Sequence, residues 1–294
     1  MAPLDGGYSG ETFLAEAAGE RTVVRLYAGR GAARGPLAVE VDAAVLRLVR
    51  GLVPAPVVLD VRRPDPATGS PAVLVTGFLP GERLDLLLPR LPATGRRVLG
   101  GHLGALLGRL ATMPQLDGGR FVDGSLQTEP FGVDDLSGWV DAHAAAFAGW
   151  TKDERAGLAE VAETAQDFLD PTGAGGRTCL VHGDVNPKNL LVDPASLQVT
   201  GLLDWEFAHA GLPVSDLGNL LRFEREPVLT DAVLAGYEAA VPDAGTDLLD
   251  RARAADLWAL VDLAARRAEN PVAAAAHDLL LTVARERDLH ARPA

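Results

Sequence analysis

The sequence changes character near residue 81, and this change limits the folds that the chain can adopt. Before it, short apolar runs alternate with turn residues. Residues 12–17 and 21–27 are such runs, separated by Ala18-Gly19-Glu20, which predicts a β-hairpin. After it, alanine and leucine recur at helical spacing over most of the chain. We therefore predict an α+β fold in two parts: a small, mainly antiparallel β lobe with one helix over residues 1–81, and a larger, mainly helical lobe over residues 82–294.

One helix is predicted in the first part. Apolar residues at positions 37, 41, 45, 48 and 49 follow helical spacing after Pro36, a residue suited to a helix start. Leu79-Pro80-Gly81 predicts the hinge between the two parts. In the second part, helices are predicted over roughly 94–113, 133–149, 151–169, 213–224, 229–240, 245–268 and 271–289.

The helical part is interrupted by three β-like runs at 178–182, 190–193 and 199–204, whose connecting loops carry polar residues. Phosphoryl transfer requires an acid that accepts the proton of the attacking hydroxyl, and oxygen ligands that hold Mg²⁺. Asp184 and Asn189 lie five residues apart, the spacing of the Asp and Asn in a kinase catalytic loop. With a further acid ending the third run, this pattern favours a phosphoryl-transfer site over surface charge.

The chain resembles the aminoglycoside phosphotransferase family of small-molecule kinases, whose fold is like that of protein kinases. The resemblance spans about residues 4–225 and implies a bilobal, protein-kinase-like fold. The motifs that carry it are Val53-Pro54-Ala55-Pro56, Phe78-Leu79-Pro80-Gly81-Glu82, His182-Gly183-Asp184 with Asn189, Asp204-Trp205-Glu206 and Pro213-Val214-Ser215-Asp216-Leu217.

The resemblance implies a role for each polar residue of this region. Asp184 is expected to be the catalytic base, and Asn189 and Asp204 the ligands of Mg²⁺. Asp216 is similar to a buried acid that braces the catalytic loop, with the alternative that it is a helix N-terminal acid favoured by the helix dipole. His182 is expected to be structural within the loop.

For each of two auxiliary residues, two alternative roles are open. Glu206 is expected either to reach a second Mg²⁺ or to be solvated. Lys188, one of only two lysines in the chain, either contacts the γ-phosphate or faces water, and water is favoured.

Phosphate-binding groups are expected in the first part of the chain. The glycine-rich segment 6–10, with Ser9 and Gly10, could cover phosphates with its backbone N–H groups. Arg25 stands where the family usually has Lys; arginine keeps the charge but is bulkier.

Two further nucleotide contacts follow from the resemblance. Asp42, with Glu40 as the substitute, is the expected acid partner of Arg25. The adenine edge is expected near the connector residues Val75, Thr76 and Phe78.

The acidic residues are unevenly distributed. Residues 1–81 carry eight acids and eight arginines, so the formal charge of −13 lies entirely after Gly81. Such a charge makes a nucleic-acid partner improbable, because phosphate binding depends on clustered Lys and Arg. It favours a cationic substrate, although excess acid can also simply keep a surface soluble. The candidate acceptor-binding residues are Asp135, Glu224, Trp258 and Asp262.

We therefore predict an O-phosphotransferase that uses ATP or GTP with Mg²⁺ to inactivate a cationic antibiotic, either an aminoglycoside or a tuberactinomycin-type peptide such as capreomycin or viomycin. Alternatives are a metabolic kinase of the choline, homoserine or sugar type, a macrolide kinase, and a nucleotide-binding pseudokinase. No apolar run reaches the roughly 18 residues of a membrane span, and the start lacks the pattern of a signal peptide. The expected protein is cytoplasmic, without membrane partners, and a monomer or weak homodimer.

Overall fold

The computed structural model describes residues 2–4, 11–28, 31, 34–133, 135–170 and 177–293. The first part contains one antiparallel sheet with strand order β1-β2-β3-β5-β4. Its strands are β1 (Ala2–Pro3), β2 (Glu11–Ala17), β3 (Glu20–Tyr27), β4 (Val58–Arg62) and β5 (Ala72–Gly77).

The β2–β3 hairpin was predicted from the sequence, and the backbone conformation of its turn explains why the hairpin forms. Ala18 and Gly19 both have positive φ, 53° and 83°. Two central residues of positive φ make the turn whose twist matches that of the flanking strands. The register that follows pairs Thr12 with Arg25, which places Arg25 in the middle of β3.

Within the described residues of this part, the predicted helix is α1 (Ala38–Leu48), which begins two residues after Pro36. It buries one apolar face, including Val39, Ala43 and Leu46. The same helix buries Asp42 to 3% exposure, so this carboxylate lies on the inner side of the lobe.

Eight helices are described in the second part. Each predicted helical segment contains one, although segment 133–149 divides into α4 and a 3₁₀ turn at Ala144–Phe147. The helices are α2 (Leu84–Leu87), α3 (Ala93–Ala111), α4 (Leu136–Ala142), α5 (Lys152–Leu169), α6 (Ser215–Leu221), α7 (Pro227–Ala240), α8 (Leu248–Ala265) and α9 (Pro271–Glu286).

Glycines let α3 and α7 approach closely. Gly100, Gly104 and Gly108 recur every four residues, so they line one side of α3. A Cβ at Gly104 would lie 2.0 Å from the carbonyl oxygen of Val233 on α7. Only glycine fits there, and the two backbones therefore pack in direct contact.

Short strands complete the second part. β6 (Glu82–Arg83), β11 (Leu190–Val192) and β12 (Val199–Leu202) form one sheet, in the order β12-β11-β6. The other has the order β7-β10-β13-β8-β9 and consists of β7 (Pro114–Gln115), β8 (Gly119–Phe121), β9 (Thr128–Glu129), β10 (Thr178–Val181) and β13 (His209–Gly211). Strands β10, β11 and β12 were predicted from the sequence, whereas β1, β4, β6 to β9 and β13 were not, and most of these are too short to show a period.

The hydrophobic core has two clusters. The larger joins both parts of the chain, since Leu74 of β5, Leu107 of α3 and Leu190 of β11 belong to it. The smaller is built from α5, α8 and α9, with Leu158 among its buried residues. The residues after the predicted hinge enter the second part at once, because Arg83 of β6 pairs with Leu191 of β11. None of the helices in the described ranges combines the length and apolar character needed to cross a membrane.

Candidate active site

The two loops that carry the predicted site residues are hydrogen-bonded to each other. The backbone N–H of Leu203 donates to the carbonyl of Asn189 at 2.8 Å. The Nε2 of His182 donates to the carbonyl of Leu203 at 2.9 Å. The residue before Asp204 is thus bound to both ends of the 182–189 loop, which fixes Asp204 beside that loop.

Asp184 is held by two side-chain amides. Asn189 Nδ2 donates to its Oδ2 at 2.8 Å and Asn186 Nδ2 to its Oδ1 at 3.0 Å. Burial raises the pKa of Asp184 to about 6, with the neighbouring charge of Asp204 acting in the same direction and the hydrogen bond from Asn186 opposing it. The arrangement gives an oriented carboxylate whose pKa lies nearer neutrality than that of an exposed Asp.

Asp204 ends the hairpin of β11 and β12 in an unusual backbone conformation. Its φ and ψ are 63° and 68°, in the left-handed region that non-glycine residues rarely adopt. Its carboxylate accepts from Arg25 Nη1 at 2.9 Å, and its side chain is 27% exposed. Strained residues of this kind occur where a side chain must be aimed at a site.

His182 and Asp216 brace the loop from behind. His182 is fully buried, its Nδ1 accepts from the N–H of Asp184, and burial lowers its pKa to about 4. Asp216 accepts from the N–H groups of His182 and Gly183 at 2.8 and 2.9 Å. Because Asp216 is only 4% exposed, its geometry is that of a buried brace rather than an exposed helix-end acid. Burial raises its pKa to about 6.

The two auxiliary residues, Glu206 and Lys188, lie in different environments. Glu206 has a side chain only 5% exposed and forms an ion pair with Arg25, so the solvated alternative is wrong. Lys188 is exposed, and its backbone N–H donates to Asn186 Oδ1. This exposed position agrees with a side chain in water, and whether Lys188 contacts the γ-phosphate stays a prediction.

The expected pairing of Arg25 with Asp42 differs from what the structure shows. Arg25 reaches across to Asp204 and Glu206 in the second part of the chain. The Asp42 carboxylate binds Arg34 instead, at 2.7 and 2.9 Å, and accepts from the Tyr27 hydroxyl at 2.6 Å.

The substitute acid, Glu40, forms an ion pair with Arg63, a residue whose side chain is 74% exposed. Glu40 therefore forms its ion pair at the protein surface. Of the two acids, only Asp42 lies in the buried cluster around Arg25.

The connector residues occupy two different environments. Val75 and Thr76 lie inside β5 and pair with both β3 and β4, so they belong to the sheet ladder. Phe78 follows the strand; its N–H donates to the carbonyl of Arg21, whose guanidinium lies 4.0 Å from the centre of the Phe78 ring. The base contact expected near Val75, Thr76 and Phe78 stays a prediction.

Two predicted residues, Ser9 and Gly10, lie outside the described residues.

The four acceptor candidates do not form one group. Asp135 caps α4, where its Oδ1 accepts from the N–H of Gly138 at 2.6 Å. Glu224 accepts from the backbone N–H groups of the two residues that follow it. Trp258 packs against Trp139 with ring centres 5.5 Å apart.

The fourth candidate, Asp262, lies one helical turn beyond Trp258 on α8 and pairs with Arg266 at 2.5 Å. Among the described residues, no hydrogen bond or ion pair joins Asp135, Glu224, Trp258 or Asp262 to the catalytic-loop acids. A role in acceptor binding therefore stays a prediction.

An ion pair near the catalytic loop was not predicted from the sequence. Arg222 and Asp256 are 7% and 4% exposed and share bonds of 2.6 to 3.1 Å. The charge of Arg222 acts on Asp184 and lowers its pKa. The two partners lie on separate elements, 34 residues apart, so no local spacing in the sequence indicates that they pair.

Arg34 and Asn186 were missed as well. Arg34 lies in a Gly/Ala/Arg-rich segment without periodicity, whereas Asn186 lies inside the recognised motif and could have been proposed from it.

Solved structures show the same fold over nearly the whole chain. Aminoglycoside phosphotransferase APH(4)-Ia has a TM-score of 0.66 at 17% identity, covering 97% of this chain and 92% of that one. A candidate aminoglycoside phosphotransferase from Ralstonia eutropha JMP134 has a TM-score of 0.65 at 18% identity, covering 98% and 89%. The GDP complex of an aminoglycoside 2′-phosphotransferase-IIIa mutant has a TM-score of 0.66 at 18% identity, covering 95% and 89%.

The curated relatives match only locally. Acyl-CoA dehydrogenase family member 11 of Rattus norvegicus is 44% identical over 45 residues, which is 15% of this chain and 6% of that protein. The counterpart from Mus musculus is 42% identical over the same length. The chain thus spans a small fraction of these two proteins.

The family model of the phosphotransferase enzyme family, APH, matches residues 1–257. This range contains the sheet with Arg25, the loop with Asp184 and Asn189, and Asp204, and the predicted α+β, protein-kinase-like fold is confirmed by the solved structures. The contacts between the two loops and the extent of this match lead to one conclusion: the chain belongs to the phosphotransferase enzyme family and is an enzyme of the kinase type.

Proposed function

We propose that this enzyme transfers the γ-phosphate of a nucleoside triphosphate to a hydroxyl group of a cationic antibiotic. The observation that supports the reaction is that Asn189 bonds Asp184 and that the residue before Asp204 is hydrogen-bonded to Asn189, so that the three residues lie on two joined loops. Asp184 would accept the hydroxyl proton and orient the oxygen for attack, while Arg25 would hold the phosphates from the opposite part of the chain. Positioning and charge stabilisation of this kind account for most of the catalysis in phosphoryl transfer.

The donor atoms fit Mg²⁺. Because the Nδ2 of Asn189 donates to Asp184, the Oδ1 of Asn189 is the atom left for a cation. Asp204 adds a carboxylate. No three His, Cys, Asp or Glu side chains of the described residues form a metal-holding group, but Mg²⁺ needs only one or two protein carboxylates beside substrate phosphates. When bound, Mg²⁺ would neutralise charge on the transferred phosphate.

ATP and GTP both stay open as the phosphate donor. Neighbouring structures carry ADP or AMP-PNP in one enzyme and GDP in another. In this chain, Phe78 and the connector beyond it are the proposed site of base contact. Backbone groups there could read either purine, so the sequence does not decide between the two.

The cationic acceptor is supported by charge. The acidic excess lies wholly in the second part of the chain, and a site lined by one sign of charge concentrates ligands of the opposite sign. A similar structure, APH(4)-Ia, was solved as a ternary complex with ADP and hygromycin B. We propose an aminoglycoside or a tuberactinomycin-type peptide as the acceptor, with Asp135, Glu224, Trp258 and Asp262 as candidate contacts.

Phosphorylation would explain resistance. It adds about two negative charges to a ligand whose amines bind ribosomal RNA, and so weakens that attraction. We propose that the enzyme acts in the cytoplasm, where such antibiotics reach the ribosome.

Three alternatives predict different behaviour. A metabolic kinase would accept a small amino alcohol or sugar and would not depend on several substrate amines. A macrolide kinase would accept a large substrate of low charge. A pseudokinase would bind nucleotide with Mg²⁺ without turnover.

The deciding experiment is a nucleotide-consumption screen with ATP and GTP against aminoglycosides, tuberactinomycin-type peptides, macrolides and amino alcohols, with mass spectrometry of the products. Asp184→Asn is the control for contaminating kinases. For a polycationic acceptor, KM should rise with added salt, because exposed charges are screened. A KM independent of salt, or turnover of amino alcohols alone, would favour the metabolic alternative.

A further inference from the structure

Arg34 lies beside Glu206, one of the two acids that pair with Arg25. It follows β3 and precedes α1, and its two terminal nitrogens bond both oxygens of Asp42 at 2.7 and 2.9 Å. Its Nη1 also lies 4.0 Å from the Oε2 of Glu206, the carboxylate that pairs with Arg25. Arg34 is therefore a second guanidinium close to Glu206, an acid that pairs with Arg25.

Arg34 belongs to a cluster of acidic and basic side chains. Among the described residues, the carboxylates of Asp42, Asp204 and Glu206 contact the guanidinium groups of Arg25 and Arg34. Because Asp204 is a proposed Mg²⁺ ligand, a divalent cation there would compete with its bond to Arg25. The arginines would then face the phosphates that accompany the cation.

Asp42 prepares Arg34 for such a contact. The guanidinium has five N–H donors, and its bidentate bond to Asp42 uses two of them. Asp42 is itself fixed by the hydroxyl of Tyr27 at 2.6 Å, and its side chain is 4% exposed, whereas the side chain of Arg34 is 26% exposed. A tethered arginine with open donors loses little conformational entropy when it binds an anion.

We propose that Arg34 is a second phosphate-binding residue, which contacts the terminal phosphates of the nucleoside triphosphate together with Arg25 while Asp42 orients it. This inference rests on the proposed function and adds to it a residue outside the recognised motifs. The structural alternative is that Arg34 only braces α1 through Asp42.

The two roles differ in which ligand they affect. A phosphate contact matters for a triphosphate and not for a nucleoside, whereas a bracing role would alter both or neither. We would measure by calorimetry the Kd of Mg²⁺·AMP-PNP and Mg²⁺·GMP-PNP, and of adenosine and guanosine, for the wild type and Arg34→Met. The matched control is Arg63→Met. Arg63 is an exposed arginine that pairs with Glu40, and Glu40 lies on α1 as Asp42 does.

Arg34→Met should raise the Kd of the triphosphate analogue by about ten- to hundredfold, as expected for a lost charge-assisted contact. The Kd of the matching nucleoside should stay within about twofold, and Arg63→Met should behave as the wild type. If Arg34→Met does not fold, Arg34→Gln, which retains N–H donors towards Asp42, makes the same comparison.

Other outcomes would overturn the proposal. Unchanged triphosphate binding, or an equal loss for triphosphate and nucleoside, would leave Arg34 a structural brace while the proposed function stands. If the wild type itself binds neither triphosphate analogue, the proposed function fails and this inference fails with it.

Discussion

Arg25 and Asp204 are 179 residues apart in the sequence, and their side chains meet at 2.9 Å. One lies in the middle of β3 and the other ends the hairpin of β11 and β12. Since the pair joins a proposed phosphate-binding cation to a proposed Mg²⁺ ligand, its two residues define where the terminal phosphates of a nucleotide would lie.

Replacement of Arg25 by methionine should weaken nucleotide binding about tenfold or more, because a charge-assisted contact to phosphate is lost. Arg25→Lys should keep much of the affinity, as it retains the charge. Calorimetry with Mg²⁺·AMP-PNP measures both. Arg62→Met is the control, since Arg62 lies on β4 with a side chain 73% exposed. If Arg25→Met binds Mg²⁺·AMP-PNP as tightly as the wild type does, Arg25 does not contribute to phosphate binding.

Asp184→Asn should separate binding from turnover. The amide cannot accept the hydroxyl proton, so kcat should fall by about 10²- to 10⁴-fold, the usual contribution of a general base. Nucleotide affinity should change little. Asp167→Asn, on the exposed side of α5, should leave both unchanged. Comparable kcat values in Asp184→Asn and the wild type would exclude Asp184 as the base.

The pH dependence of kcat/KM should show one acidic limb. Asp184 is a base only when ionised, so the rate falls as the pH drops through its pKa. Burial raises that pKa to about 6, and a cation beside Asp204 would lower it by favouring the ionised form. At saturating Mg²⁺ the limb should therefore lie at or below pH 6. A limb clearly above pH 7 would point to a different group.

Asp216→Ala should destabilise the fold and disturb the catalytic loop together. It leaves the buried N–H groups of His182 and Gly183 without their acceptor, which should lower the free energy of unfolding by about 2 kcal/mol. Urea denaturation measures this change. Asp193→Ala is a matched control, because Asp193 also accepts two backbone N–H bonds but in an exposed turn, where water replaces them. Equal losses in both variants would show that burial of Asp216 adds nothing.

Two glycines of α3 should respond in opposite directions to alanine. Gly104→Ala should lower the free energy of unfolding by about 2 kcal/mol or more, because its Cβ would overlap the backbone of Val233. At Gly101 a Cβ meets nothing within 4 Å, so alanine should stabilise the helix by about 0.5 to 1 kcal/mol. Thermal and urea unfolding of the pair test this, and a mild effect at Gly104 would mean that α3 and α7 can separate easily.

Much of this fold was predictable because its elements are encoded locally. The turn at Ala18 and Gly19 specifies a hairpin, Pro36 precedes α1, and every predicted helical segment of the second part contains a helix. The short strands were not predictable. A two- or three-residue strand such as β7 or β13 has no period to detect and forms only because β10 offers a partner on each side.

The sequence by itself determined the chemistry of the site: the five-residue interval from Asp184 to Asn189 and the acid at 204 predict the reaction class. Only the tertiary structure decided which charged side chains pair with each other. Arg25 bonds acids of the other lobe, and Asp42 binds Arg34. Local spacing controls backbone conformation over a few residues, whereas an ion pair depends on where two separately folded segments are brought by core packing, and no pattern in either segment records that.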